Sequence, residues 1–408
     1  MPCDVDVKSS TPLFRLDLSR GFFLGILDSS FGVFVLLICI RHFEAPDYCK
    51  GLIAAGGSVG LLATSLLVGM WSNSSCSEPI KCSIYMFLSG LFIFLSSWVS
   101  GVMAFTVFML LAQIFLSQVP SLMIGVYSSL YMKEDRGFRV SCNLVMSTIG
   151  GIATSFLFGH FLDEEQSGYR LILWSMSFSA FFCAIIHFFM PSVYRKREKL
   201  SLMNNLGNVF RIPREDSLFG RILIAWMILG FGAIMTFPLR VEYLAEEGGL
   251  NLSNAEIALI GVGIFFLFKI IGSLFWGKLF DRMHFMRYRI NINLFMLVAI
   301  LVYFNAPGFL GVAIGAALAG VATGGANLAW SLWVTKIAPP GRVSEYMGVH
   351  MSFTGIRGAT APFMGYALVE PLGFSGVSFL SAGCILLATI LFATTLKDTR
   401  FSDSSEGC

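Results

Sequence analysis

Residues 255–289 read AEIALIGVGIFFLFKIIGSLFWGKLFDRMHFMRYR, and the reading of this stretch decides the fold. From Ile257 to Trp276 it is an apolar run interrupted by one charge, Lys269. Twenty such residues wound as a helix cross a bilayer core of roughly 30 Å. A lysine at the middle of that helix costs on the order of 2.5–3.5 kcal/mol on insertion scales. The nearer helix end is about eight residues away, roughly 12 Å along the axis, too far for comfortable snorkelling. Lys269 is therefore expected to face protein or a water-filled cavity. It is either a salt-bridged packing lysine or a functional one, and the functional reading is carried forward.

Composition agrees with a membrane setting. The chain has 408 residues, of which 56% are hydrophobic and 13% charged, with forty phenylalanines. That balance lies outside the soluble range and implies a polytopic membrane protein. The net charge of +3 says nothing about nucleic acid, because topology distributes the basic residues, and no nucleic-acid partner is expected. Nine scattered cysteines without paired spacing read as small core residues rather than as a disulfide framework or a metal site. Residues 1–20 contain Asp4, Asp6, Lys8, Arg15 and Arg20 and no apolar segment, so the first hydrophobic segment is expected to stay as an anchor.

Hydropathy windows place twelve spans near 21–40, 51–71, 82–100, 103–131, 140–161, 170–190, 221–241, 256–277, 288–305, 308–336, 343–368 and 375–396. With both termini cytoplasmic, 22 of the 28 Lys and Arg fall on the inner side. Only Arg41, Lys50, Arg170 and Arg240 fall on the outer side. Such a bias implies a multi-pass membrane protein with cytoplasmic ends, and the plasma membrane is its expected location. The one long loop, 191–220, carries Arg195, Lys196, Arg197 and Lys199, suited to anionic lipid. Leu202, Leu206, Val209 and Phe210 follow at helical spacing, as in an interfacial amphipathic helix, with a solvated charged loop as the alternative.

The span that contains Lys269 ends in Gly277-Lys278-Leu279-Phe280-Asp281-Arg282. This Gly-x-x-x-Asp-Arg elbow resembles the loop signature of the major facilitator superfamily between spans 8 and 9, although His284 and Met286 depart from it. The chain also repeats. Tyr127-Ser128, Lys133 and Arg139-Val140-Ser141 recur as Trp330-Ser331, Lys336 and Arg342-Val343-Ser344, at an offset of 203. Asp135-Arg136-Gly137 and Ala338-Pro339-Pro340-Gly341-Arg342 look like that family's loops between spans 4 and 5 and spans 10 and 11. The elbow after span 2 departs, reading Gly69-Met70-Trp71-Ser72-Asn73-Ser74. The resemblance implies an all-α membrane fold of twelve helices in two pseudo-symmetric six-helix bundles. Residues 1–190 and 221–408 would be the bundles, joined by the cytoplasmic linker 191–220. It also implies transport by alternating access, with Gly277, Asp281 and Arg282 as a conformational gate and a monomer as the working unit.

In that family spans 1, 4, 7, 10 and 2, 5, 8, 11 line the cavity. The intramembrane charges agree: Asp28 lies in span 1, Lys269 in span 8 and Arg357 in span 11. Polar stripes at helical spacing accompany them, with Gln113, Ser117 and Ser121 in span 4 and Asn143, Ser147, Gly151 and Thr154 in span 5. Spans 10 and 11 carry Thr323, Asn327 and Ser331, and His350, Thr354 and Arg357. The small residues, like the Gly56/Gly60 and Gly311/Gly315 pairs, serve helix packing. One acid against two bases suggests an organic anion held by Lys269 and Arg357, with Asn327, Gln113 and His350 as further substrate ligands. Asp28 would be the proton-coupling acid. The competing readings are an internal salt bridge from Asp28, proton-driven efflux of cationic or neutral amphiphiles, or a receptor or scaffold that no longer transports. Gly373-Phe374-Ser375-Gly376 resembles the serine motif of rhomboid proteases, but no histidine follows Ser375 to activate it. No enzyme activity, cofactor or metal is expected; the expected partners are a small solute, protons and the bilayer.

Overall fold

The computed structural model describes residues 10–69, 76–164, 168–191, 193, 202–280, 282–339, 342–398 and 400. Among these the regular structure is helical throughout. Ten helices are long and apolar enough to cross a membrane. The first, over residues 10–41, passes through a π-helical turn at Ser30–Phe34. Asp47–Gly69 and Glu78–Ser96 follow. Val102–Leu116 and Val119–Leu130 are separated by a turn just before Pro120, which sits in the first turn of the second piece, where its missing N–H costs nothing. Lys133–Glu164 and Gly168–Phe189 complete the first part of the chain.

Leu202–Glu215 is a helix, as the apolar spacing within 191–220 predicts, whereas the basic cluster Arg195, Lys196, Arg197 and Lys199 lies outside the described residues. Ser217–Thr236 and Leu239–Ala245 are broken at Pro238. Then come residues 254–280, with a second π-helical turn at Leu259–Ile264, Phe285–Asn305 and Gly308–Ile337. The last element, Val343–Ala393, is 51 residues long, where the sequence predicts two spans. The backbone leaves its helical path at Gly373 (φ 65, ψ 172), two residues after Pro371. A side chain would be strained at that φ, and a proline within a helix removes a hydrogen bond, so the two expected spans meet there.

Residues 10–189 pack chiefly on one another, and so do residues 217–393. The closest crossings sit at small residues. A Cβ at Gly25 would collide with the backbone of Ser147, and one at Gly324 with the backbone of Lys269 and Ser273. Gly56 and Gly60 lie against Gln113 and Ser117, the packing role expected of that pair. Large apolar side chains such as Phe178, Phe189, Leu274, Leu310 and Phe379 point outward, the distribution of a protein solvated by lipid.

The helix that begins at Ser217 is capped by Asp216, which accepts from the Phe219 N–H (3.1 Å). Arg400, from the far end of the chain, donates to both carboxylate oxygens (2.8 and 3.1 Å), and Tyr346 adds a third contact at 3.1 Å. Partial burial pushes this carboxyl up, but Arg400 and the capping bonds outweigh it and hold Asp216 below the usual carboxylate range. A depressed carboxyl contributes stability that is present at neutral pH and is lost as pH falls through its folded-state value. Arg400→Ala is accordingly expected to lower thermal stability at neutral pH and to flatten the acid limb, so that variant and wild type converge as pH falls. A stability difference of the same size at neutral and at acid pH would contradict this role.

Candidate functional site

Lys269 is half-buried, its backbone wedged against Gly320 and Gly324 of the neighbouring helix. Its ammonium lies 5.3 Å from the centroid of the Phe266 ring, a cation–π contact. Phe266 in turn reaches Gly151 on helix 133–164. Gly25 touches the same point from the first helix, so the three helices converge there. Asp28 stands one turn beyond Gly25. It is exposed, although Ile26, Leu27, Ser29 and Ser30 around it are buried. Protein nevertheless surrounds it, with Ser147 alongside and Lys269 within electrostatic reach. Asp28 and Lys269 make no ion pair within 4.0 Å. An acid from the first part of the chain and a base from the second thus lie within electrostatic reach of each other without a direct ion pair.

Arg357 is placed elsewhere. It is buried, occupies the space beside Gly230, and donates through Nη1 to the Trp226 carbonyl. Its charged neighbour is Arg289, not Lys269. The two bases that the sequence joins into one clamp therefore stand in different surroundings. His350 is buried against Trp226, Trp330 and Trp333. Gln113 is buried and donates to the Ile53 carbonyl (2.8 Å), the work of a helix-packing residue. Asn327 is exposed on its helix. Gly277 is half-buried with open space where a side chain would go, and Arg282 is exposed. Asp281 lies outside the described residues, as do residues 70–75 of the equivalent elbow.

Three charged groupings escape a reading by hydropathy. Asp17 and Arg20 precede the first predicted span yet are buried, with Arg20 donating to Asp17 (2.8 and 2.9 Å) and Tyr131 to the other oxygen (3.0 Å). Their i, i+3 spacing is the signal that could have found them. Arg289 looks like loop charge beside Arg287 but is buried. The third grouping lies at the ends of the helices opposite the termini. There Arg41 donates to Asn254 (2.7 Å) and to the carbonyls of Ala245 (3.2 Å) and Leu252. Lys50 pairs with Glu242 and with Asp47 (2.8 Å). Asp163 accepts from the Asn254 and Ala255 N–H groups (2.9 and 3.0 Å), capping the start of the Lys269 helix. Each joins the first part of the chain to the second, so this face is held shut. Removing one partner of a buried pair such as Lys50–Glu242 costs several kcal/mol, roughly 3–5. Lys50→Ala should raise thiol labelling of the buried Cys49, in a background without the other cysteines, several-fold. Unchanged labelling would contradict a closing role for the pair.

Residues 222–406 match the sequence profile of the Major Facilitator Superfamily. The fold over nearly the whole chain is that of solved transporters. It superposes on the nucleoside transporter NupG with a TM-score of 0.74, at 14% identity, over 94% of this chain and 99% of that one. A D-xylose-proton symporter gives 0.71 at 12% identity, over 93% and 96%. The inward-open xylose transporter XylE from E. coli gives 0.68 at 14% identity, over 94% and 95%. No curated protein matches the chain. The second half of the chain thus matches the Major Facilitator Superfamily by sequence, and nearly the whole chain has the fold of solved transporters.

Proposed function

We propose that the chain is a proton-coupled secondary active transporter of a small organic anion in the plasma membrane, working as a monomer by alternating access. In this reading twelve spans form two six-helix bundles, residues 1–190 and 221–408, joined by the cytoplasmic linker 191–220. Both termini are cytoplasmic, and the closed face carrying Arg41, Lys50 and Asp163 is the outer one. The conformation is then inward-facing.

The observation that supports the reading is that Asp28 and Lys269, from different parts of the chain, lie within electrostatic reach of each other without a direct ion pair. Opposite unit charges within electrostatic reach attract, and more strongly where the effective dielectric falls below that of water. With Asp28 ionised, Lys269 has a partner and little call for a ligand. When Asp28 takes a proton that attraction vanishes, and the lysine charge is free to bind an anion. Proton and anion thereby favour each other's binding, which is the requirement for symport. Gly277, Asp281 and Arg282 act at the inner helix ends and set the conformational balance, not the choice of solute. Asn327, on the exposed face of its helix, completes the solute contacts.

A second reading has one observation in its favour: Asp28 is more exposed than Lys269. In it Asp28 holds a cationic amphiphile during efflux and Lys269 is structural. A thermal-shift screen of purified protein separates the two, since a ligand that prefers the folded state raises the melting temperature. The proposal expects stabilisation by carboxylates or phosphates, stronger at lower pH and abolished in Lys269→Ala. Stabilisation by lipophilic cations alone, lost in Asp28→Asn and kept in Lys269→Ala, would overturn it.

A further inference from the structure

Arg289 and Arg357 are both buried, 4% and 5% exposed, and lie near enough to repel one another. Arg289 stacks on Trp226, its guanidinium carbon 4.3 Å from the ring centroid, while Arg357 binds the carbonyl of the same residue. Nε and Nη1 of Arg289 and Nε of Arg357 are enclosed without a hydrogen-bond partner. Among the described residues no carboxylate is close enough to act on either group. Around them, Nε1 of Trp226 and of Trp333, Nε2 of His350 and Oγ1 of Thr354 are also enclosed without partners. Arginine and the indole N–H can only donate, and the other two can donate as well. The shared deficit is therefore of acceptors.

The first part of the chain shows how a buried arginine is treated when an acid is at hand. Arg20, equally buried, donates twice to Asp17 and once more to Tyr127. A guanidinium is not deprotonated in a protein, so Arg289 and Arg357 stay charged. Two like charges kept together in a low-dielectric interior, with donors facing an unmet need, define a place for negative charge.

We infer that Arg289 and Arg357, framed by Trp226, Trp333, His350 and Thr354, form a binding site for a small monovalent anion within the second half of the molecule. It involves neither Asp28 nor Lys269 and does not rest on the transport proposal. The anion is a halide or a carboxylate group, either of which carries negative charge to the same donors. Its charge binds the Phe285–Asn305 helix to the Val343–Ala393 helix and to Trp226 between them.

The test uses the purified full chain in detergent at constant ionic strength, exchanging sodium gluconate for sodium chloride, bromide or acetate. A saturable rise in melting temperature with chloride or bromide, lost in Arg289→Met, is the expected result. A response to acetate alone would confirm the same site as one for carboxylate. Where Arg289→Met does not fold, iodide quenching replaces it: the site requires a saturable component of tryptophan quenching that disappears in Trp226→Phe. Equal melting temperatures in all four salts together with purely linear quenching would overturn the inference, as would a chloride-dependent shift that survives in Arg289→Met.

Discussion

A full charge in the interior of a membrane protein is tolerable only where something answers it, because transfer from water costs several kcal/mol even after relaxation. That constraint sorts the ionic groups of this chain. Arg20 is answered by Asp17 and a tyrosine. Lys50 is answered by Glu242. Asp28 and Lys269 lie within electrostatic reach of each other without a direct ion pair. Among the described residues, Arg289 and Arg357 have no carboxylate to answer them, only a tryptophan between them.

Several of these groups also join the two parts of the chain to each other. Lys50–Glu242, Arg41 with Asn254, and Asp163 at the start of the Lys269 helix tie the two parts of the chain at the face away from the termini. These are short, directional contacts, and breaking them exposes buried charge. Asp28 and Lys269 sit beyond that closure without a direct bond. Asp163 caps the helix that carries Lys269, so closure at one end and the position of the lysine belong to a single element. A helix that moves as a unit carries a displacement at its capped end to Lys269.

Much of this is legible in the amino-acid sequence, for particular physical reasons. Length and apolarity locate the helices, and Gly373 after Pro371 marks where a 51-residue element divides. The cost of burying a charge is enough by itself to single out Asp28, Lys269 and Arg357. The partners of those charges are another matter. Which residues meet depends on helix rotation and on crossings such as Gly25 on Ser147, and hydropathy does not encode these. Arg357 accordingly turns toward Trp226 and not toward Lys269. Arg289 and Arg20 stay hidden because hydropathy windows treat charge near a span's end as loop. A helix that continues past its apolar stretch buries that charge instead. Gln113 illustrates the converse: a polar residue on a well-placed stripe can be consumed by packing.

The central claim is that Asp28 and Lys269 are coupled as one electrostatic unit joining the two parts of the chain. A double-mutant cycle on thermal stability at neutral pH, using Asp28→Asn, Lys269→Met and the combined variant, measures that coupling directly. The account predicts that the double variant loses less stability than the two single losses added together, by an interaction energy of about 0.5–3 kcal/mol, and that the difference shrinks as pH falls and Asp28 takes up its proton. Strict additivity at every pH would contradict it.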